Sequence, residues 1–433
     1  MRYLSLLLVR LPGWFMAASL ALMSLTSALA APALELALTT NSAPAGYVEV
    51  SGVEAGAFNP RIWQAGTLNL VPDVRSPLLA PQGGKFRNIY APSAAETPGG
   101  YRLFYGAWDG VPTGNDRIYS VTTDFGFREF LNRQVVIVPG DYIHVCNVNA
   151  LRFTDGAFAL FATVYPLKDR NKPAFFQSDS TGTNWNGLRG EPYTVQARDI
   201  VQIDGYAYPN ADINGMNVML HEEGVYRLYY GDFSNPGGTF RATSKDGKRY
   251  AFDAQVLNGP GLVNDVKKFR IGATNYFLMG LHQNSAVLLQ SVSTNGLSFP
   301  PGRLLLTNLD AADAYIVALG WVTRGAQDSP GRKLLGVLYG AGPVPALNEN
   351  SLYARWLQKR VVFVADDGTR IAGTKALGPD RQLLAVPKAG PVRGKFEFYA
   401  EDGLTLLGAS AARAVSRGQV LRMQAQQASP EPK

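Results

Sequence analysis

Cysteine and histidine are scarce in this sequence of 433 residues, which contains one cysteine, Cys146, and three histidines. A single cysteine cannot form an internal disulfide, which excludes the small secreted domains that disulfides hold together. Cys146 is therefore predicted to be a small buried hydrophobic residue rather than a nucleophile. No two histidines have the spacing of metal ligands on one strand, so a zinc site is not expected.

Long apolar runs are absent beyond the N-terminus, so no membrane span is expected after the first residues. Arg2 and Arg10 precede or flank an apolar stretch over residues 11–25, and small residues end at Ala30. This pattern predicts a signal peptide over residues 1–30 and a periplasmic or secreted bacterial protein. An uncleaved anchor helix is the alternative interpretation.

Dense positive charge is also missing. The net charge is +7, and it becomes +5 once Arg2 and Arg10 leave with the signal peptide. Positive residues are scattered, with no basic stripe and no recognition helix, which argues against a nucleic-acid partner. A mildly basic surface is compatible with an acidic glycan or a cell envelope, but it selects neither.

Helical periodicity is absent too, and the sequence instead repeats a unit of short strands and turns. A leucine marks the second strand of each copy, at spacings of 57, 68, 50 and 57 residues: Leu103, Leu160, Leu228, Leu278 and Leu335. Turns of the form Ser/Thr-x-Asp/Asn-Gly-x-x-aromatic accompany the third strands, and the last copy is assigned to residues 362–368. A period of this length built from strands predicts a β-propeller.

The predicted fold class is all-β, a five-bladed β-propeller with a small C-terminal β-sandwich-like domain. The predicted segments are a signal peptide (1–30), an N-terminal strand with a lead-in segment (31–86), the propeller (87–375), the small β domain (376–424) and a disordered tail (425–433).

The first strand of each propeller blade lines the central channel, and its start faces the loops that join strands two and three. Counting back from each marker leucine finds Asn or Asp near an otherwise apolar first strand. With their neighbours on the rim, they form a predicted site for a hydroxylated ligand: Asn88, Tyr90, Trp108, Asp109, His144, Asn147, Asn149, Asn214, Asn217, Asp232, Asn264 and His282. A polar ring that only holds ordered water is the alternative.

Over residues 87–375 the repeat resembles the five-bladed arabinanase/levansucrase/invertase-like superfamily of glycoside hydrolases. The resemblance depends on the blade count, the turns, and the phrases Ala91-Pro92-Ser93 and Asn264-Asp265-Val266. It implies three inner-strand carboxylates that serve as acid, base or nucleophile, and orienting group. Ala91 stands where the family has Asp, so that triad does not transfer position by position.

The sequence therefore predicts an exported glycoside hydrolase acting on a furanoside-type, envelope or plant glycan. Asp265 and Asp212 are the expected acid/base pair, with Asp313 in support. The alternatives are a noncatalytic propeller that binds glycan or protein and, third, a scaffold for envelope components. Carboxylates tied to backbone amides would favour binding over hydrolysis. No cofactor is expected, although a calcium ion held by Asp and Asn oxygens on the propeller axis stays open.

Overall fold

The computed structural model describes residues 33–65, 67–81, 88–108, 116–167, 170–186, 192–207, 211–345, 349–387 and 390–424. The predicted signal peptide and tail lie outside these ranges. The regular secondary structure of the described chain is almost entirely strand, with one short α-helix and two one-turn 3-10 helices: Pro60–Ala65, Ala197–Asp199 and Ala311–Asp313. None of the helices in these ranges has the length and apolarity that a membrane span requires.

Five largely antiparallel sheets, numbered here as blades 1 to 5, form most of the structure. Blade 1 comprises Asn88–Thr97, Gly100–Trp108, Asp116–Thr123, Phe130–Val138 and a parallel outer strand, Tyr193–Thr194. Blade 2 comprises Val145–Arg152, Phe158–Leu167 and Arg170–Gln177. Blade 3 comprises Ile213–Glu222, Val225–Asp232, Gly238–Ser244, Arg249–Asn258 and a parallel outer strand, Gln202–Asp204. Blade 4 comprises Leu262–Ile271, Thr274–His282, Val287–Ser293 and Arg303–Thr307. Blade 5 comprises Tyr315–Arg324, Lys333–Gly342, Ser351–Leu357 and Leu70–Pro72.

The first strands of the five blades form a closed ring. Each lies against the first strand of the next blade, and the first strand of blade 5 lies against that of blade 1. Blades 5 and 1 approach closely at Gly320, where an added Cβ would lie 2.0 Å from the carbonyl oxygen of Pro92. The predicted all-β propeller fold is confirmed.

The repeat has a physical basis in the second strands. All five marker leucines lie in the second strand of a blade, and each is completely buried: Leu103, Leu160, Leu228, Leu278 and Leu335. These strands sit inside their sheets and between neighbouring blades, which explains their near-continuous apolar sequence.

One copy of the predicted turn does not belong to the propeller. Arg360–Ala365 pairs with Val392–Tyr399 in a different sheet, and the third strand of blade 5 is Ser351–Leu357. Residues 362–368 match the turn pattern because Gly368 adopts a φ of +84° in a tight hairpin. Such hairpins favour Asp and Gly in any β-sheet, so the motif alone does not identify a blade.

Both ends of the described chain build a two-sheet sandwich. One sheet contains Ala33–Leu34, Leu406–Ser410, Val392–Tyr399, Arg360–Ala365, Arg370–Ala372 and Arg413–Val415. The other contains Leu36–Ser42, Gln419–Met423, Tyr47–Ser51, Arg381–Ala385 and Lys375–Ala376. A common core fills the space between them and includes Val48, Val50, Phe363, Leu384, Phe396 and Phe398.

Residues that precede blade 1 close the ring. Leu70–Pro72 pairs antiparallel with Ser351–Leu357 and so becomes the outer strand of blade 5. The sequence assigns these residues to the lead-in segment, because a strand of three residues is too short to show a periodic pattern. Ring closure therefore joins the beginning of the propeller to its end.

Asp73, directly after the closing strand, connects three parts of the molecule. Its buried carboxylate accepts hydrogen bonds from Trp356 Nε1 in blade 5 (2.7 Å) and from the backbone N–H of Gly378 in the sandwich segment (2.9 Å). Arg75 pairs with the same carboxylate at 2.6 Å and donates to the carbonyl of Phe127 beside blade 1. Burial acts to raise the pKa of Asp73, but the hydrogen bonds from Arg75 and Trp356 outweigh it and hold that pKa below its usual value.

We expect Asp73→Asn to lower the free energy of unfolding by about 2–4 kcal/mol, because it breaks a buried, hydrogen-bonded ion pair. Urea denaturation followed by tryptophan fluorescence measures this change. The folded pKa is depressed, so the stabilisation is present above the unfolded pKa of about 4 and is lost as the pH falls through the folded value. The difference between wild type and variant should therefore shrink at low pH. Exposed Glu129→Gln is the control, and equal effects of the two variants would contradict the role of Asp73.

Candidate functional site

A break in strand register recurs near the start of every first strand. The breaks lie at or beside Ala91, Asn147, residues 215–217, Asn264 and Val317. Ala91 and Asn147 have φ values of +51° and +54°, which non-glycine residues seldom adopt. Such bulges redirect side chains and are common beside functional sites. None of these positions carries a carboxylate, so the bulges themselves present no acid/base group.

At the bulge of blade 4 and beyond the bulges of the other strands, polar side chains on the first strands accept backbone N–H groups from the neighbouring first strand. The four bonds run from Ala150 to Ser93 Oγ (2.9 Å), Met219 to Asn149 Oδ1 (3.4 Å), Leu319 to Asn264 Oδ1 (3.0 Å) and Trp321 to Asp265 Oδ2 (3.0 Å). We call these acceptors, together with Lys267 and His282, the axial network. Its members join blade 1 to blade 2, blade 2 to blade 3, and blade 4 to blade 5.

Asp265 is a structural member of this network rather than an accessible acid. Its side chain is completely buried, and Lys267 Nζ lies 2.9 Å from Oδ1. Asn149 Nδ2 donates to the same oxygen at 3.3 Å. A carboxyl group that is covered in this way has no contact with solvent, so the structure does not support the predicted acid/base role of Asp265.

The structure does not support the predicted catalytic role of Asp313 either. Asp313 is 1% exposed, and its carboxylate accepts the backbone N–H groups of Leu309 (2.8 Å) and Asp310 (2.9 Å). The phenol of Tyr339 donates to its other oxygen at 3.1 Å. These bonds cap the one-turn helix that leads into blade 5.

Asp212 differs because its side chain keeps partial exposure. The backbone N–H of Asn171 donates to Oδ1 at 2.7 Å, and the side-chain amide of Asn171 donates to the same atom. Asp212 lies at the entrance to the first strand of blade 3, on the rim.

Several other predicted ligand residues are buried, and four of them lie in positions that serve the fold: Asp232, His282, Asn264 and Asn88. Asp232 holds a turn by accepting from Ser234 N (2.8 Å) and Tyr206 OH (2.9 Å). His282 is buried against Asn264, with Asn264 Nδ2 2.6 Å from His282 Nδ1. Asn88 is also buried. The structure therefore places Asp232, His282, Asn264 and Asn88 away from an open rim and Asn149 in the axial network, so it does not support their predicted ligand-binding roles. Asp109 lies outside the described residues, and so do the side chains of Trp108 and Asn217.

Three side chains meet at the rim of blades 1 and 2. Tyr90 OH donates to Asp116 Oδ2 at 2.7 Å. His144 Nδ1 lies 3.6 Å from the same oxygen and accepts the backbone N–H of Asp116 at 3.4 Å. The side chains of His144 and Asp116 are 25% and 18% exposed, so solvent reaches both of them.

The group continues into blades 2 and 3. The ring of Tyr165 packs edge-on against His144, with 5.0 Å between the ring centroids. Asn214 Nδ2 donates to Tyr165 OH at 3.5 Å, and Asn147 Nδ2 donates to Asn214 Oδ1 at 2.8 Å. We call this continuous set the rim cluster: Tyr90, Asp116, His144, Asn147, Tyr165 and Asn214.

Electrostatics connect the cluster to Asp212. Burial, followed by the charges of groups that include Asp212 and Asp116, raises the pKa of the Tyr165 phenol. Tyr165 therefore lies within electrostatic reach of both part-exposed carboxylates. Cys146, behind Tyr90, is buried, and burial raises the pKa of its thiol, so the predicted hydrophobic role of Cys146 is confirmed.

The rim cluster contains two residues that the predicted ligand set omits, Asp116 and Tyr165. Both lie next to the loop between strands two and three of their blade, and this position in the repeat predicts a place on the rim. Across the described ranges, no cluster of three or more His, Cys, Asp or Glu side chains could hold a metal ion. A calcium ion on the axis stays a prediction.

Comparison with known proteins adds a fold likeness only. No family model and no curated protein matches the sequence. Similar solved structures include a glycosyl hydrolase from Bacteroides ovatus, at 11% identity over 67% of this chain and 94% of that one (TM-score 0.44). A GH32 β-fructofuranosidase from Bombyx mori matches at 13% identity over 83% and 90% (TM-score 0.45). The catalytic domain of a GH62 α-L-arabinofuranosidase from Coprinopsis cinerea matches at 13% identity over 68% and 98% (TM-score 0.46). At these values the likeness carries no conclusion about activity or substrate.

We expect Asp265→Asn to lower the free energy of unfolding by about 3–5 kcal/mol, because Lys267 becomes a buried charge without a counter-ion. Lys267→Met should be similarly costly. The double variant should lose less than the sum of the two, since no charge then stays unpaired. Urea denaturation of the four proteins measures this coupling. Unchanged stability in Asp265→Asn would show that the axial network is not structural.

His282 should make stability depend on pH. Burial lowers the pKa of His282 from 6.5 to about 4, so between these values the unfolded chain binds a proton that the folded chain does not. This term therefore reduces stability as the pH falls from 6.5 towards 4. His282→Gln should flatten the pH dependence of the melting temperature over that window, as measured by calorimetry. A slope equal to that of the wild type would contradict this assignment.

Proposed function

We propose that this protein is exported and binds a carbohydrate at the rim cluster. The observation that carries the proposal is the continuous chain of phenol, carboxylate, imidazole and amide groups across blades 1 to 3. Such a chain offers donors and acceptors in close succession, which suits the neighbouring hydroxyl groups of a sugar. The rings of Tyr165 and His144 add apolar surface for the C–H groups of a sugar ring.

The state of the inner carboxylates favours binding over acid/base chemistry on the axis. Asp265 and Asp313 both accept backbone N–H groups and are almost fully buried. On the rim, the side chains of His144 and Asp116 are part-exposed and Tyr165 is half-buried, whereas Tyr90, Asn147 and Asn214 lie buried. The proposed ligand site is therefore displaced from the axis towards blades 1 to 3.

Hydrolysis is a second candidate function, and one observation favours it. Asp116 and Asp212 keep partial exposure on the same rim, and the charges of both contribute to the raised pKa of Tyr165. Glycoside hydrolysis needs two carboxyl groups, one to protonate the glycosidic oxygen and one to activate water or attack the sugar. In this candidate function Asp116 and Asp212 share those roles, and Asp265 has none.

The binding proposal is tested by calorimetric titration with arabinan, fructan, xylan and bacterial envelope glycan fragments. Asp116→Asn and His144→Ala should each weaken binding about tenfold, because each removes a hydrogen-bonding group at the ligand. Asp155→Asn, the same chemical change in an exposed turn on the opposite rim, is the control. Full affinity in both rim variants would refute the assignment of the site.

Release of reducing sugars from the same glycans tests the second candidate. If the protein is a hydrolase, Asp116→Asn and Asp212→Asn should each reduce the rate at least about 100-fold. Binding without release would leave a noncatalytic glycan-binding propeller. Release that survives both substitutions would place the catalytic carboxylates elsewhere.

A further inference from the structure

A charged cleft separates the sandwich from blades 1 and 5, away from the rim cluster. It consists of two cavities of about 950 and 710 Å³. Four residues line both cavities, so the two form one continuous cleft: Glu54, Arg324, Asp380 and Arg422. The sandwich wall adds hydroxyl and amide side chains, namely Thr39, Asn41, Ser42 and Ser51.

Three cations in the smaller cavity converge on Glu54. Arg324 Nη1 lies 2.6 Å from one carboxylate oxygen, and Lys333 Nζ lies 2.9 Å from the other. Lys359 Nζ reaches only the backbone carbonyl of Glu54, at 2.6 Å. One carboxylate therefore serves two cations, and the third has a neutral partner.

Two further carboxylates, Asp380 and Glu401, lie nearby and offset part of this positive charge, although, among the described residues, neither forms an ion pair with Lys359 or Arg422. Asp380 Oδ1 accepts the backbone N–H of Glu54 at 3.1 Å, and Glu401 accepts that of Gly56 at 2.6 Å. Burial lowers the pKa of Lys359, and repulsion from Lys333 adds to this effect, although Glu401 and Asp380 oppose it.

Arg422 is the second cation without a carboxylate. Its side chain is exposed on the sandwich wall and makes no hydrogen bond or ion pair with any part of the chain that the structure describes. An exposed arginine in a cleft can bind a carboxylate through two parallel hydrogen bonds. Arg422 and Lys359 thus give this cleft two cations that are available to an anion.

We propose that the cleft binds an acidic oligosaccharide, whose carboxylates pair with Arg422 and Lys359 while its hydroxyl groups face the polar sandwich wall. A neutral sugar would leave both charges uncompensated. A nucleic acid would need a longer cationic track and stacking aromatic rings, whereas Phe125 is the one aromatic side chain among the described cleft residues.

Calorimetric titration with tetragalacturonate, and with maltotetraose as a neutral chain of equal length, tests this proposal. Tetragalacturonate should bind and maltotetraose should not. Arg422→Gln should weaken binding about fivefold to tenfold, and Arg422→Lys should lose less, because a charge-assisted hydrogen bond is stronger than a neutral one. Raising the salt concentration should weaken the wild type more than Arg422→Gln.

Lys245→Gln is the matched control, because it removes one positive charge from an exposed turn in blade 3. An equal loss of affinity in Lys245→Gln and Arg422→Gln would show that the anion responds only to net charge and would overturn the proposal. Failure of tetragalacturonate to bind, or equal binding of maltotetraose, would overturn it too. The rim variants test a separate site, so each proposal can fail without the other.

Discussion

The inner edges of the five first strands impose the constraint that the rest of the structure depends on. Each first strand faces the propeller axis, and the N–H groups on that edge have no further strand with which to pair. Side chains provide the missing acceptors: Asn149 accepts from blade 3 at 3.4 Å, and Asp265 accepts from blade 5 at 3.0 Å. The polar groups deep in the ring therefore join blades, and the constraint leaves few of them for a ligand.

The bulges reconcile this constraint with a binding surface. Asn147 and Asn149 are two residues apart in the same strand, yet they have different partners. Asn149 lies beyond the bulge and bonds the backbone of the next first strand, whereas Asn147 adopts a positive φ and donates to Asn214 on the rim. Both residues are asparagines, so the position along the strand decides whether the side-chain amide bonds the neighbouring first strand or a residue on the rim. The candidate site therefore lies on the rim, displaced from the propeller axis.

The sequence revealed the fold better than the site, for a physical reason. The period of the repeat, its turn residues and its apolar strand pattern can be recognised in local sequence, so the marker leucines identify the second strands correctly. The turn at residues 362–368 misled because a hairpin has the same chemistry in a blade and in a sandwich. The hydrogen bond that Asp265 accepts from Trp321 N depends on the order of the blades, which local sequence does not show. Lys267, two residues after Asp265, was the one sequence signal for an ion pair. Asp116 likewise gains its meaning from His144, which only the packing of blade 2 on blade 1 supplies.

Ring closure explains why the charged cleft exists between the sandwich and blades 1 and 5. The sandwich takes strands from both ends of the described chain, and Asp73 ties the closing strand to blade 5 and to Gly378. Glu54 and Arg324, far apart in sequence, meet at this junction as an ion pair. Cations from the propeller and the sandwich outnumber the carboxylates among the residues that line the smaller cavity. An anion in the cleft would bridge the two units and respond to salt, whereas a sugar at the rim would contact blades 1 to 3 and respond to the pattern of its hydroxyl groups.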